Sequence, residues 1–342
     1  MKILTIGDPH FRTNNIPECE LLQERLIDII SEQLPDVIVV LGDLLHYHER
    51  LHTTALNQAI EFIDMLRNYT HTFVLTGNHD FISNQQFLTN KHWMNALKEW
   101  KNVTIVDKVI SFRQNNKHII LLPYVPPGRF EEALNTLQES WKTADAIFCH
   151  QEFYGVQMGA IKSLDGDKWR LDYPYVFSGH IHDRQQLQLN LYYVGSCIQH
   201  AFGESSKKTV ALLKFDEESI NILEIPTNLP KKKIVYINIE DVGEFKEKKD
   251  SRDHIKLCVK GTYEEFKSFK KTRQYKDLTA QGVKIAYKPQ QLKEVEEVQE
   301  NIVFTDILYK LVMKEKNGYL LKSYNHVLHN KNEDDDSIIL FN

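Results

Sequence analysis

Five short segments each set Asp, Asn or His after an apolar run of strand length: Gly7-Asp8-Pro9-His10, Gly42-Asp43-Leu44-Leu45-His46, Gly77-Asn78-His79-Asp80, Cys149-His150 and Gly179-His180-Ile181-His182. Side chains on loops that leave neighbouring strands converge at one end of a sheet. The glycine before the ligand in four of the five segments predicts a sharp backbone turn there, and Asp-x-His or His-x-His puts two side chains on one side of an extended segment. Carboxylate, imidazole and amide oxygen without thiolate suit manganese, iron or zinc in higher coordination better than a closed structural zinc site. Asp8, His10, Asp43, Asn78, His150, His180 and His182 are more groups than one ion takes, whereas two ions sharing Asp43 use them all. Two ions roughly 3.5–4 Å apart are the usual apparatus for hydrolysis of a phosphate ester. Any one of these residues alone would read as a turn or helix cap; the ordered set reads as a reaction centre. Cys149 precedes a ligand but reads as a small strand residue, since the ions already provide for the nucleophile.

The elements that must position this set follow from the hydrophobic period. Ile3 to Ile6, Val37 to Leu41, Thr72 to Leu75, Val103 to Val106, Ile119 to Leu122, Ala146 to Cys149 and Tyr175 to Phe177 read as buried strands. Leu21, Leu22, Leu26, Ile29 and Ile30 share one helical face, as do Leu56, Ile60, Ile63 and Leu66. Later, Leu187 to Tyr193, Val210 to Phe215 and Ile220 to Ile225 alternate as hairpin strands do. The fold class is α/β (α+β): a two-layered β-sandwich flanked by helices over residues 1–226. Ile225 to Pro230, with two prolines, reads as a linker. Residues 227–290 form a small α+β capping unit with a helix from about Tyr263 to Arg273, and 291–342 a helical tail. In that tail Ile302 to Val312 and Tyr319 to Leu328 supply apolar stripes, Asn317-Gly318 marks a helix stop, and Glu333 to Asp336 are an acidic end.

The 342 residues exceed the usual single-domain size of about 150, and 42% hydrophobic with 26% charged residues exclude a disordered or fibrous chain. Net charge is −5, divided as −8 for 1–226, +7 for 227–290 and −4 for 291–342. A basic middle segment beside an acidic block suits a polyanion, and bound divalent ions offset the acidity of the first block. Lys267, Lys270, Lys271 and Arg273, interleaved with Phe266 and Phe269, are candidate DNA contacts, with the phenylalanines facing the core. The four cysteines form no CxxC pair, and neither a signal peptide nor a membrane span is apparent, which predicts a cytoplasmic or other reducing intracellular compartment, not secretion.

In order and spacing, the five segments resemble the calcineurin-like metallophosphoesterase superfamily. Within it, Gly42-Asp43-Leu44-Leu45-His46, Leu121-Leu122-Pro123-Tyr124, and Tyr193-Val194-Gly195-Ser196 continuing to Phe202-Gly203-Glu204 are similar to the SbcD nuclease subunit, in particular to its short phage members. The resemblance implies that Asp8, His10, Asp43 and His182 hold one divalent ion and Asp43, Asn78, His150 and His180 the other, with Mn2+ favoured and Mg2+ the alternative. It implies that His79 contacts the scissile phosphate and assists the leaving oxygen, with Asp80 orienting it, and that His46 steers the nucleic-acid backbone. Where the cellular family continues with an Arg-Pro pair, this chain has His48-Glu49-Arg50-Leu51, leaving Arg50 as a candidate DNA contact. The implied activity is a 3'-5' exonuclease on duplex DNA with single-strand endonuclease action in repair or recombination, as a homodimer partnered by an SbcC-like coiled-coil ATPase, since this chain has no ATP-binding loop of its own. The alternatives are a phosphatase or phosphodiesterase of the same superfamily acting on small phosphoesters, and a non-catalytic scaffold.

Overall fold

The computed structural model describes residues 1–217, 219–245, 252–289 and 304–329. The first part alternates strand and helix: β1 (Lys2–Ile6), α1 (Ile16–Gln33), β2 (Val37–Val40), α2 (Thr53–Arg67), β3 (Thr72–Leu75) and β4 (Val103–Val106). Next come β5 (Ile110–Gln114), β6 (Lys117–Leu121), α3 (Phe130–Leu134), β7 (Ala146–Cys149) and the short hairpin of β8 (Gln157–Met158) and β9 (Ile161–Lys162). Then follow β10 (Tyr175–Ser178), β11 (Gln185–Gln188), β12 (Leu191–Tyr193), β13 (Thr209–Phe215) and β14 (Ile220–Pro226).

Two six-stranded sheets result, ordered β14-β13-β1-β2-β3-β4 and β11-β12-β10-β7-β6-β5. In each, four adjacent strands run parallel: β1 to β4 in one, with antiparallel β13 and β14 beyond β1, and β12, β10, β7 and β6 in the other, with antiparallel β11 and β5 at its two edges. Alternation along each strand divides the apolar residues between two faces. Ile3, Val39, Leu75, Leu121, Phe148 and Phe177 pack between the sheets. Leu4, Ile38 and Val40 turn outward onto Leu22 and Leu26 of α1 and Phe62 and Ile63 of α2, and Ile120, Ile147 and Val176 turn toward Phe130 of α3. This is the two-layered sandwich flanked by helices that the hydrophobic period predicts.

The Pro226–Pro230 passage is pinned rather than free. Thr227 is buried and its N–H donates to the Lys208 carbonyl, while Lys232 donates from its backbone to Gln199 and from Nζ to the Gln199 carbonyl at 2.6 Å. Beyond it a three-stranded sheet, β15 (Lys232–Asn238), β16 (His254–Gly261) and β17 (Lys284–Pro289), carries α4 (Tyr263–Phe269) and α5 (Arg273–Ala280). The single helix expected over 263–273 is thus two. Thr262 opens α4 in a capping box with Glu265, and Thr272 caps α5 by accepting from the Tyr275 N–H, which breaks the run at residues 270–272. Leu257, Val259, Phe266, Phe269 and Leu278 form this unit's own core. Residues 1–288 make one compact unit.

The remainder, from Pro289, is a second unit, in which α6 (Phe304–Lys314) and α7 (Gly318–His329) are described. The turn between them differs from the expected stop at Asn317-Gly318: Lys316 takes the left-handed conformation, and Asn317 caps α7 by accepting from Tyr319 and Leu320. Ile302, Val303 and the acidic end at 333–336 lie outside the described residues. Among the described residues no helix is long and apolar enough to cross a membrane.

Candidate metal centre

The ligand-bearing segments all leave the carboxyl ends of parallel strands: Gly7–His10 follows β1, Gly42–His46 β2, Gly77–Asp80 β3, His150 β7 and Gly179–His182 β10. Both sheets therefore deliver side chains to one edge of the sandwich. The sharp turns lie at the ligands themselves. Asp8, His10, Asp43 and His180 have φ of 44°, 47°, 51° and 76°, a left-handed region that costs residues with a Cβ roughly 1–3 kcal/mol each and persists only where surroundings enforce it. Of the four motif glycines only Gly42 has positive φ. Gly77 serves a different need, since a Cβ there would strike the Asp43 carboxylate and backbone nitrogen.

Asp8, His10, Asp43 and His150 are almost wholly buried, and their polar atoms converge. His10 Nε2 lies 3.1 Å from His182 Nε2 and 3.4 Å from Asp43 Oδ2. His150 Nε2 lies 3.3 Å from the same Asp43 oxygen and 3.0 Å from Asn78 Oδ1, which also stands 3.0 Å from His180 Nδ1. One Asp43 oxygen thus sits between a His10/His182 group and an Asn78/His150/His180 group. Asp8 Oδ1 accepts from the His180 N–H at 2.9 Å, while Asp8 Oδ2 is buried with no partner. An orphaned carboxylate oxygen facing imidazole nitrogens is costly in a protein interior and favourable against a cation. The donor set fits two divalent ions divided as the sequence implies, with Asp43 shared.

The electrostatics agree. Burial works against the charge on His150, but Asp43 and then Asp8 outweigh it and raise its pKa to about 9. Burial would likewise raise Asp43, yet His150, His10 and His79 hold that carboxyl well below its usual range. Burial raises Asp8, opposed by His150 and reinforced by Asp43. Burial lowers His10 well below the usual imidazole value and takes His180, beside His150, to about 3. Without ions, a proton on His150 thus supplies part of the positive charge, while His10 and His180 keep free lone pairs.

His79 is placed beside this group by two hydrogen bonds: its N–H donates to Asp43 Oδ1 at 2.9 Å and its Nδ1–H to the His46 carbonyl at 2.7 Å. The latter fixes the tautomer and leaves Nε2 for a substrate. The expected role of Asp80 is corrected here. Its carboxylate does not touch the His79 ring but accepts from the backbone N–H groups of Leu44, Leu45 and Gly77 and from the Trp93 indole. The reason is burial: at 3% exposure the carboxylate takes the nearest donors, and these are orphaned loop amides. His46 positions His79 through its carbonyl and lies parallel to it at 5.7 Å between ring centroids. His48 stacks on the His79 ring more closely, at 4.7 Å.

Two further residues escape a motif-based reading. Glu204 Oε1 accepts from His182 Nδ1 at 3.1 Å, its Oε2 accepts from the His200 N–H at 2.8 Å, and Lys208 Nζ stands 3.2 Å away. His200 packs edge-on against both His10 and His182, with ring centroids 4.8 Å apart in each case. Both lie in the loop after β12, another parallel strand of the second sheet, so the strand-then-ligand rule points to them once β12 is recognised.

Residues 1–184 match the family model of the calcineurin-like phosphoesterases. The chain belongs to this family. As a calcineurin-like phosphoesterase it is a metal-dependent hydrolase of phosphoesters, and three of the His and Asp groups above, His10/Asp43/His79, Asp43/His150/His180 and His10/His182/His200, have the ligand spacing to hold a metal ion. Two relatives bear provisional phosphoesterase names: 078R of Invertebrate iridescent virus 3 is 45% identical over 319 residues, covering 91% of this chain and 92% of its own length. The other, 244L of Invertebrate iridescent virus 6, is 47% identical over 277 residues, covering 80% and 98%. Among solved structures, a novel archaeal phosphodiesterase aligns with TM-score 0.38 at 14% identity over 66% of this chain and all of its own. The E. coli phosphoesterase Yfce aligns with TM-score 0.34 at 12% identity over 67% of this chain and all of its own.

The expected DNA contacts are more dispersed. Arg50 is exposed in the loop before α2. Lys267, Lys270, Lys271 and Arg273 are exposed on α4, α5 and their junction while Phe266 and Phe269 face the core, and none of the four forms a hydrogen bond or ion pair with the metal-binding residues. A cleft does connect the small unit to the site, lined by Arg12, His200, Phe202, Lys232, His254 and Lys284.

Proposed function

We propose that this phosphoesterase is a DNA nuclease of SbcD type, cleaving phosphodiesters at the two-ion cluster with Mn2+ as the working metal. The cleft carries this reading: beside His200 and the cluster, it is lined by Arg12 of the sandwich and Lys284 of the small unit, with Lys232 and His254 paired to Glu18. Lys284 Nζ lies 5.4 Å from the centre of the Phe202 ring, so a ring face and a cation stand together, as stacking and phosphate contact require. An extended polyanion uses such a path and a small monoester has no need of it.

Ions at the cluster supply the positive charge that attack on phosphorus demands. The chain's own residues do the rest. His46 and His48 hold the His79 ring between them, and the His46 carbonyl keeps its Nδ1 proton, so Nε2 is the atom that meets the leaving oxygen or a phosphate oxygen. Arg12 and Lys284 hold the backbone of the strand. The apolar side chains exposed on the last two helices, Leu311 and Tyr319 among them, are the docking surface in this reading for a coiled-coil ATPase of SbcC type, with homodimerisation of the nuclease.

Purified protein is incubated with manganese or EDTA and offered labelled linear duplex DNA, single-stranded circles and an aryl phosphate, with His79→Ala and Asp43→Ala as controls. Manganese-dependent loss of both DNA substrates, absent from the controls, is the expected result. Turnover of the aryl phosphate alone transfers the reading to a small-molecule phosphoesterase, and no metal-dependent turnover of any substrate points to a scaffold.

A further inference from the structure

His200 belongs to neither implied ligand set, yet it is built into the cluster. One ring nitrogen from each of His10, His182 and His200 lies within 4.8 Å of the other two. The His200 side chain belongs to a residue only 8% exposed. Its Nε2 stands 2.8 Å from the Asp8 carbonyl, to which it donates, and its Nδ1 is buried with no partner. The tautomer with the proton on Nε2 therefore leaves a buried, unpartnered lone pair on Nδ1 of a ring whose centroid lies 4.8 Å from those of both His10 and His182.

The loop around it is fixed as a ligand loop should be. Glu204 receives the His182 Nδ1–H on one oxygen and the His200 N–H on the other, and Arg12 donates to the His200 carbonyl at 2.8 Å. A carboxylate that orients ligating imidazoles is the usual outer support of a metal site. Here the carboxylate orients the His182 ring and, through the backbone N–H, fixes the chain that carries His200 next to it.

We propose that His200 is an additional ligand of the ion held by Asp8, His10, Asp43 and His182, so that this position carries three imidazoles while its neighbour carries two. Imidazole suits zinc and iron, whereas carboxylate, carbonyl and water suit manganese and magnesium. The two positions therefore differ in preference: the His200 position selects zinc or iron(II), and the Asn78 position accepts manganese. This inference rests on the two-ion cluster and not on the nature of the substrate.

Its test needs no substrate. Chelator-stripped protein is titrated calorimetrically with Zn2+ and with Mn2+, and optically with Co2+. Wild type is expected to bind two ions, one with a marked preference for zinc over manganese. His200→Ala should cut that preference by about 10- to 100-fold and change the cobalt ligand-field bands at that position, leaving the other position as it was. His200→Gln, which keeps a donor for the Asp8 carbonyl and fills the space, should behave alike and serves if the alanine variant does not fold. Two bound ions with unchanged affinities in the variants overturn the proposal. So does weakening of zinc and manganese by the same factor, which would make His200 only a prop for the Asp8 backbone. A wild type that binds no ion overturns the cluster itself, and none of these outcomes bears on whether DNA is cleaved.

Discussion

At the strand ends of the sandwich, Asp8, Asp43 and His150 are buried with their charges, and four ligand-bearing residues hold left-handed backbones. In the unit built on β15 to β17, Leu257, Val259, Phe266 and Phe269 are buried instead, Thr262 and Thr272 cap the helices, and the lysines face water. The second region is stabilised by apolar burial and needs nothing from outside the chain. The first keeps strain and desolvated charge in place through the loops around it, and the ions that it binds offset that cost. The candidate metal centre and the small unit thus draw on different sources of stability, and they should fail separately.

The sharpest break compares Asp43→Ala with Lys267→Ala/Lys270→Ala/Lys271→Ala. Removing the shared Asp43 oxygen should cost more kcat than His79→Ala, for which a loss of about 10²–10⁴-fold is expected from the absence of one acid–base group. The triple lysine variant should hydrolyse an aryl phosphodiester at the wild-type rate. Equal losses in the two variants would abolish the division of labour. A smaller effect is expected from Phe266→Ala, which should destabilise the small unit by about 3–5 kcal/mol in denaturant melts while leaving metal binding unchanged; co-loss of metal would show that the two regions fold as one.

The smallest effect is in pH. With a folded pKa of about 9 against an ordinary 6.5, His150 contributes stability that is fully present below pH 6.5 and lost as pH rises through 9. The ion-free protein should therefore melt at a lower temperature at pH 9 than at pH 6.5. Metal affinity should rise over the same window as the competing proton leaves. Ion-saturated protein should show a flatter profile, and a profile unaffected by ions would mean that His150 is not a ligand.

The convergence of the candidate ligands was legible because each follows an apolar strand run, and a parallel strand commits its next residues to one end of the sheet. Asp8, His10, Asp43, Asn78, His150, His180 and His182 all converge for that reason. Direction within a loop was not legible. The order Asn78-His79-Asp80 suggests a carboxylate that orients the imidazole, but a buried carboxylate goes to the densest group of unpaired amides, and those belong to Leu44, Leu45 and Gly77. Glycines misled in a similar way: spacing shows that Gly77 matters, but only the fold shows that it makes room for Asp43 rather than for a turn. His200 escaped because Leu187 to Tyr193 reads as one alternating hairpin strand, whereas Leu191 to Tyr193 is a separate short strand parallel to β10 whose following loop carries His200. The break between α4 and α5 escaped because a threonine cap inside an amphipathic run looks like one more polar residue.

Asp80 binds the loop after β2 to the loop after β3 and to Trp93 beyond them. Heredity inherits a restriction from this arrangement. An insertion in either loop shifts the other out of register, so neither can lengthen alone without dislodging Asp43 or Asn78. The freedom to acquire new sequence begins only past His48, at the exposed Leu51. A lineage adapting this phosphoesterase to a different substrate would find its tolerated changes there, a few residues from the cluster.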